Sequence, residues 1–245
     1  MTITGTDRRI ERTLLIDADD TLWENNIYYL RCTARFAGLM ESLGLDGQRA
    51  RRLLEAAERE VIPAMGYGPE GYIQAVGLAY ERLASEAGLT PDPAYAREAR
   101  ACAEAILDAP MVLLEDVAYV LRALRPTSRL VLVTKGDAAH QFKKLERSGL
   151  GSLFDATYIL EEKDADAYRH ILRDLGLDRE STWMVGNSPR SDINPAVEAG
   201  LGAVLIPHDH TWTAEVERLE RPEVVITLNG FCDLLELFTI DAGCA

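Results

Sequence analysis

The chain has 245 residues, 47% of them hydrophobic and 27% charged, with 40 acidic against 26 basic side chains and a formal net charge of −14. That composition provides enough apolar material for one large or two modest cores, and with no low-complexity tract it excludes a disordered chain. With no block of Lys or Arg to offset the acidic balance, nucleic acid and anionic membranes are excluded as partners, and any phosphate site must be made locally.

The four cysteines, Cys32, Cys102, Cys232 and Cys244, show no C-x-x-C spacing. A zinc cluster or redox dithiol is therefore not expected, and incidental thiols in a reducing compartment are. Met1 to Arg12 is polar and lacks an apolar signal region, and no segment approaches the roughly 20 apolar residues that span a bilayer. The expectation is a soluble cytoplasmic protein, monomer or homodimer.

In chain order, Thr13 to Ile16 is a short apolar run that stops at Asp17, the pattern of a buried parallel strand. Leu22 to about Ala109 has helical character throughout, with breaks at Gly44 to Gly47, Pro63 to Gly71 and Gly88 to Pro93. A second apolar run, Leu130 to Val133, stops at Thr134. A helix follows over Asp137 to Ser148, with Ala138, Phe142 and Leu145 as its apolar positions and Gly149 as its stop. The run Tyr158 to Leu160 leads to a helix over Ala165 to Leu175, stopped by Gly176. Thr182 to Val185 leads through Gly186 to a helix over Pro189 to Ala199, stopped by Gly200; Ala203 to Ile206 and Val224 to Ile226 are the last runs. Strands alternating with helices predict an α/β fold, a parallel sheet with helices on both faces and chemistry at the strands' carboxyl ends. Residues 1–21 and 110–245 form this core, and 22–109 form a helical module inserted after the first strand.

The polar residues that end the runs carry the functional signal. Asp17-Ala18-Asp19-Asp20-Thr21-Leu22 places two carboxylates at i, i+2, so that one can attack phosphorus while the other handles the leaving oxygen's proton. Alone, this is also what an Asp-rich turn looks like. Thr134-Lys135-Gly136 offers a hydroxyl and backbone amides to a phosphate oxygen, or a helix cap. Lys163 offers a point charge to a nucleophile and a transferring group, or merely a solvated one. Gly186-Asn187-Ser188-Pro189-Arg190-Ser191-Asp192 brings a further carboxylate, which on its own could face a helix dipole. Four such elements in order, each after a strand, fit one site better than four coincidences.

In this order and spacing the chain resembles the haloacid dehalogenase superfamily. The resemblance implies a Rossmann-like three-layer core with a helical cap between the first and second motifs. It implies Asp17 as nucleophile and magnesium ligand, and Asp19 as general acid and then base, with its main-chain carbonyl on the metal. It further implies that Thr134 and the amides near Lys135 and Gly136 bind phosphoryl oxygens, that Lys163 orients Asp17, and that Asp192 ligates the metal or holds its waters. The fourth motif often reads Gly-Asp in that superfamily; here it is Gly186-Asn187. The amide oxygen of Asn187 can coordinate magnesium but adds no charge, which makes Asp192 the expected carboxylate ligand. Independently of the family, three crowded carboxylates call for a hard divalent cation, and Mg2+ suits so few protein ligands.

The expected function is magnesium-dependent hydrolysis of a small phosphorylated metabolite through an aspartyl-phosphate. A metal-independent dehalogenase, a phosphotransfer mutase and a non-catalytic binder on the same fold are the alternatives. Asp19 argues against the dehalogenase, which gives it no work. Of the remaining motifs, Asp20 reads as a turn residue, and Arg190 as a salt-bridging more than a substrate-contacting group. Trp23 and Asn25 read as hinge or gate residues. His208-Asp209-His210 has no clear third ligand and reads as a loop near the site mouth rather than a zinc site.

Overall fold

Side-chain alternation along the first strand, β1 (Arg12–Ile16), puts Leu14 and Ile16 on one face of the sheet and Leu15 on the other, all three buried. Both faces must therefore be covered, and a computed structural model describing residues 10–239 shows how. Cys244 and the polar stretch before residue 10 lie outside the described residues.

After β1 come four helices, α1 (Asn26–Ser42), α2 (Gly47–Met65), α3 (Pro69–Glu86) and α4 (Pro93–Glu104). The chain continues through α5 (Val117–Leu124), β2 (Ser128–Lys135), α6 (Ala138–Ser148) and β3 (Ala156–Leu160). It ends with α7 (Ala165–Leu175), β4 (Thr182–Gly186), α8 (Asn194–Glu198), β5 (Gly202–Leu205), β6 (Val225–Thr227) and α9 (Asp233–Thr239). The strands form one parallel sheet in the order β3-β2-β1-β4-β5-β6. Leu14 and Ile16 pack with Leu130, Leu132 and Val185 beneath α5 and α9. Leu15, Val131, Val133 and Met184 meet Tyr168, Ile171 and Ala196 from α7 and α8 on the opposite face. This is the expected three-layer α/β core.

The chain divides into two units, one holding residues up to Glu24 and from Met111 onward, the other Asn25–Pro110. The sequence reading places the first junction after residue 21. Leu22 to Glu24 instead pair with the returning chain: Leu114 N donates to Leu22 O at 3.0 Å and Glu24 N to Val112 O at 2.9 Å. Trp23, read from sequence as a hinge or gate residue, is fully buried in the core unit.

The helical unit has its own core, with Phe36, Met40, Leu54, Ala75, Val76, Ala79 and Ala99 buried together. Its α2 is capped by Asp46, whose carboxylate accepts from Arg49 N at 2.9 Å, and runs past Pro63 to Met65. Among the described residues, no helix is long and apolar enough to cross a membrane.

Two predicted helices differ in detail. The segment after β4 begins as a π turn over Pro189–Ile193, with both Asp192 N and Ile193 N donating to Ser188 O. Pro195 has no N–H to return to Ser191 O, which accepts from the buried Tyr168 hydroxyl at 2.9 Å instead. In α6 the buried face is Gln141, Lys144 and Leu145, whereas Phe142, expected as an inward position, is 56% exposed.

Within α2, burial and the nearby Glu55 carboxylate push Glu58 up to about 7 despite the Arg59 charge. A carboxyl raised on folding contributes stability that is full below its unfolded value near 4.5 and lost as the pH climbs through about 7. Glu58→Gln should therefore raise the melting temperature of the helical unit at pH 8 and leave it unchanged at pH 4, as read by calorimetry.

Candidate active site

Register places the site. Ile16 pairs with Leu132 on one side and Val185 on the other, and Asp17 N donates to Val185 O at 2.9 Å. Asp17 therefore leaves the sheet between the ends of β2, which carries Thr134, and β4, which leads to Asn187. Thr134 pairs with Ile159 of β3, and the chain beyond β3 brings in Lys163. The carboxyl ends of β3, β2, β1 and β4 stand side by side in the order the four motifs require.

Lys163 is the centre of the cluster. Its ammonium, buried with the residue 6% exposed, lies 2.5 Å from Asp17 Oδ1 and 2.6 Å from Asp192 Oδ1, and donates to Val133 O at 3.3 Å. Burial alone would weaken its hold on the proton, but the two carboxylates outweigh burial and raise it well above the usual lysine range. Asp192 has no solvent exposure; burial and the Asp17 carboxylate push it up to about 7, against the pull of Lys163 and a bond from Ser188 N at 2.9 Å. Gly186 is required here, because a Cβ at that position would fall 2.3 Å from Asp192 Oδ2.

The second oxygen of Asp17 accepts from the Thr21 hydroxyl at 3.0 Å, and the same hydroxyl lies 3.3 Å from Asn187 Oδ1. Asn187 Nδ2 donates to Thr211 Oγ1 at 3.0 Å, which fixes the amide with its oxygen toward Asp17. Asp17 thus shares the Thr21 hydroxyl with the Asn187 amide oxygen on one side and the Lys163 ammonium with Asp192 on the other. This donor set, all oxygen and one negative charge in excess, fits a hard divalent cation such as Mg2+.

Asp19 is turned elsewhere. Trp23 Nε1 donates to its Oδ1 at 2.7 Å, Gln141 Nε2 to its Oδ2 at 2.9 Å, and Lys144 Nζ lies 2.6 Å from both. Burial would raise this carboxyl, but the Lys144 charge and the three donors hold it below the usual range. Thr134 is buried at the end of β2, and its hydroxyl bonds to no group among the described residues.

The remaining predicted groups have other engagements. Lys135 reaches Glu215 Oε1 at 2.6 Å and Ser191 Oγ at 2.9 Å. Glu215 also accepts from Ser188 Oγ at 2.6 Å, and Lys135 holds it below the usual carboxylate range although burial acts the other way. Gly136 adopts φ +125°, open to glycine, and its N–H donates to Leu160 O at 3.0 Å. Arg190 donates to Ala214 O at 3.1 Å. His208 has the neighbours the sequence could not name: its Nδ1 lies 3.8 Å from Asp20 and its Nε2 3.6 Å from Glu24.

Sequence reasoning missed Gln141, Lys144, Thr211 and Glu215 and gave Thr21 no individual role. The available signal was on α6, where Gln141 and Lys144 stand three apart on one face. The assumption that the inward face is apolar hid them.

The comparisons with known proteins bear on the family. The model of the haloacid dehalogenase-like hydrolases matches residues 11–200, and the chain belongs to that family. It is 37% identical over 100 residues to N-acylneuraminate-9-phosphatase of Mus musculus, spanning 39% of this chain and 40% of that protein. It is 30% identical over 169 residues to pyrimidine 5'-nucleotidase YjjG of Escherichia coli (strain K12), 61% of this chain and 74% of that protein. The crystal structure of a haloacid dehalogenase-like family hydrolase from Xanthomonas campestris superposes with a TM-score of 0.78 at 25% identity, covering 97% of this chain and 96% of that one.

Removing Lys163 would leave two buried carboxylates facing each other. Lys163→Met is expected to cost about 3–5 kcal/mol of stability at pH 7.5, as measured by denaturant unfolding.

Proposed function

We propose that this chain hydrolyses small phosphomonoesters in two steps through an aspartyl-phosphate on Asp17, with Mg2+ as cofactor. The observation that carries the reading is a buried carboxylate at a strand end, held through one oxygen by Lys163 and through the other by Thr21, with a second carboxylate two residues on. The phosphatase names of the relatives above support the reaction class.

Asp17, oriented by Lys163 and Thr21, attacks phosphorus in line with the leaving oxygen. Asp19, held toward its ionised form by Lys144, must take up a proton before the first step; it gives that proton to the leaving oxygen as the P–O bond breaks, and in the second step takes one from the water that attacks the acyl phosphate and restores Asp17. The Thr134 hydroxyl donates to a phosphoryl oxygen, and Lys163 offsets the charge that gathers there. Because Gly136 spends its amide on Leu160, and Lys135 faces Glu215, these two act by shaping the strand end more than by direct contact with phosphate.

Asp17, Asp192, the Asn187 amide oxygen and the Asp19 main-chain carbonyl would hold Mg2+, which supplies neutralisation of phosphate charge and a common anchor for enzyme and substrate. Residues 25–110 are read as the cap that selects the substrate and shields the first step from water. The protein is read as cytoplasmic, acting on a small phosphorylated metabolite as monomer or homodimer. The care with which Asp19 is held favours this reaction over carbon–halogen hydrolysis, which has no use for a second carboxylate.

Phosphate release from a panel of phosphomonoesters should require Mg2+ and stop with excess chelator. Asp17→Asn should lower it by at least about 10³-fold. Undiminished turnover in that variant would end the proposal.

A further inference from the structure

Asn187 and Asp192 both belong to the turn after β4, and Ser188 is the frame of that turn. Its N–H donates to Asp192 Oδ2 at 2.9 Å, and its carbonyl accepts from Asp192 N at 3.0 Å and Ile193 N at 3.1 Å. Such π geometry is rare and gathers at functional sites. What holds Ser188 itself is Glu215, which ends the short turn Thr213–Glu215 after β5 and is buried. Glu215 Oε2 accepts from the Ser188 hydroxyl at 2.6 Å, and that hydroxyl accepts in turn from Ser191 N at 2.9 Å. On its other oxygen Glu215 meets Lys135 Nζ at 2.6 Å, and the same ammonium donates to Ser191 Oγ at 2.9 Å. A second strap joins the two turns, from the Arg190 guanidinium to Ala214 O at 3.1 Å. A buried carboxylate is costly unless it is paired and hydrogen-bonded, and both oxygens of Glu215 are so engaged. The catalytic scheme gives this residue no work.

We infer that Glu215, itself fixed by Lys135, is a positioning residue for the metal site: through Ser188 it sets where Asn187 and Asp192 present their oxygens beside Asp17. The inference rests on the reading of those residues as Mg2+ ligands. Two contacts already tie the turn to Asp17: Lys163 bridges Asp17 and Asp192, and the Thr21 hydroxyl bridges Asp17 and Asn187 Oδ1. Both contacts fix the turn from the side of Asp17. Glu215 fixes it from the opposite side, anchoring it through Lys135 to the end of β2, the neighbour of the strand that delivers Asp17. Among the described residues Glu215 bonds to none of Asp17, Asn187 and Asp192, so it acts through the two serines. Partners of this kind, which orient ligating groups without touching the ion, alter metal affinity by about 10- to 100-fold when removed.

Calorimetric titration of Mg2+ alone into the full chain, with no substrate present, tests this. Ser188→Ala removes the hydroxyl and leaves the Lys135–Glu215 pair; it should weaken Mg2+ binding by about tenfold or more. Lys135→Met combined with Glu215→Leu removes the pair together, strands no buried charge, and should weaken binding by a similar factor. Glu215→Gln, which keeps an oxygen for the Ser188 hydroxyl, should fall between the parent and the double variant. In Ser188→Ala, phosphate release lost at limiting Mg2+ should return as Mg2+ is raised, which is the response of a misplaced ligand. A turn that had merely collapsed would not recover.

Mg2+ affinity within about threefold of the parent, in Ser188→Ala or in the folded double variant, would overturn the inference. So would release in Ser188→Ala that no concentration of Mg2+ restores. Asp192→Asn, titrated in parallel, separates the two levels of failure. If the parent binds no Mg2+, or Asp192→Asn binds it as well as the parent, the metal reading falls and this inference falls with it. If Asp192→Asn loses binding and the Ser188 and Glu215 variants do not, only the positioning role is lost.

Discussion

Two buried carboxylates, Asp17 and Asp192, meet a single buried ammonium, Lys163, at 2.5 and 2.6 Å, and the rest of the catalytic unit is arranged around that triad. None of the three could sit there alone, since an isolated charge in such a place costs several kcal/mol. Each is delivered by a different strand end: Asp17 by β1, Lys163 by the chain beyond β3 and Asp192 by the π turn after β4. The triad therefore demands neighbouring parallel strands in register, which in turn demand apolar runs buried on both faces. Under the proposed reaction, the residual negative charge would favour a bound cation.

That dependence explains what could be read in the sequence. Strands buried on both faces appear as unbroken apolar runs, and polar residues after them mark the carboxyl ends, so the strands bearing Asp17, Thr134 and Asn187 were legible. The helix stops were legible too, because Gly149, Gly176 and Gly200 adopt positive φ. What could not be read was whatever depends on contact with a distant segment. The junction with the helical unit shifts to Glu24 because residues 22–24 pair with 112–114, a match that no local pattern announces. The Tyr168 hydroxyl that takes up Ser191 O within the π turn comes from a helix far away in sequence. The inward face of α6 is polar because Asp19 lies beneath it, so the period-based choice of Phe142 selected the wrong side.

The net charge of −14 bears on the same site. A phosphorylated substrate gains nothing from the long-range field of such a surface and must be held by short-range groups that the protein keeps buried and oriented. Two lysines are committed within the core unit: Lys135 at the end of β2 is opposed by Glu215, and Lys144 on α6 by Asp19. The positive charge aimed at Asp17 is that of Lys163.

Asn187 then fits the electrostatics of this chain better than the Gly-Asp pattern it departs from. With an amide there, Asp17, Asp192 and Lys163 sum to one negative charge in a buried volume where Asp192 is already pushed up by burial and by Asp17. A carboxylate at 187 would add a second negative charge within reach of the Thr21 hydroxyl that bridges to Asp17. No further buried cation answers it among the groups bonded there. The amide keeps the oxygen donor, and Thr211 fixes it in the useful orientation by taking the nitrogen. Under the proposed reaction, an amide at 187 would keep an oxygen donor while lowering the repulsion that a dianionic phosphate meets near Asp17.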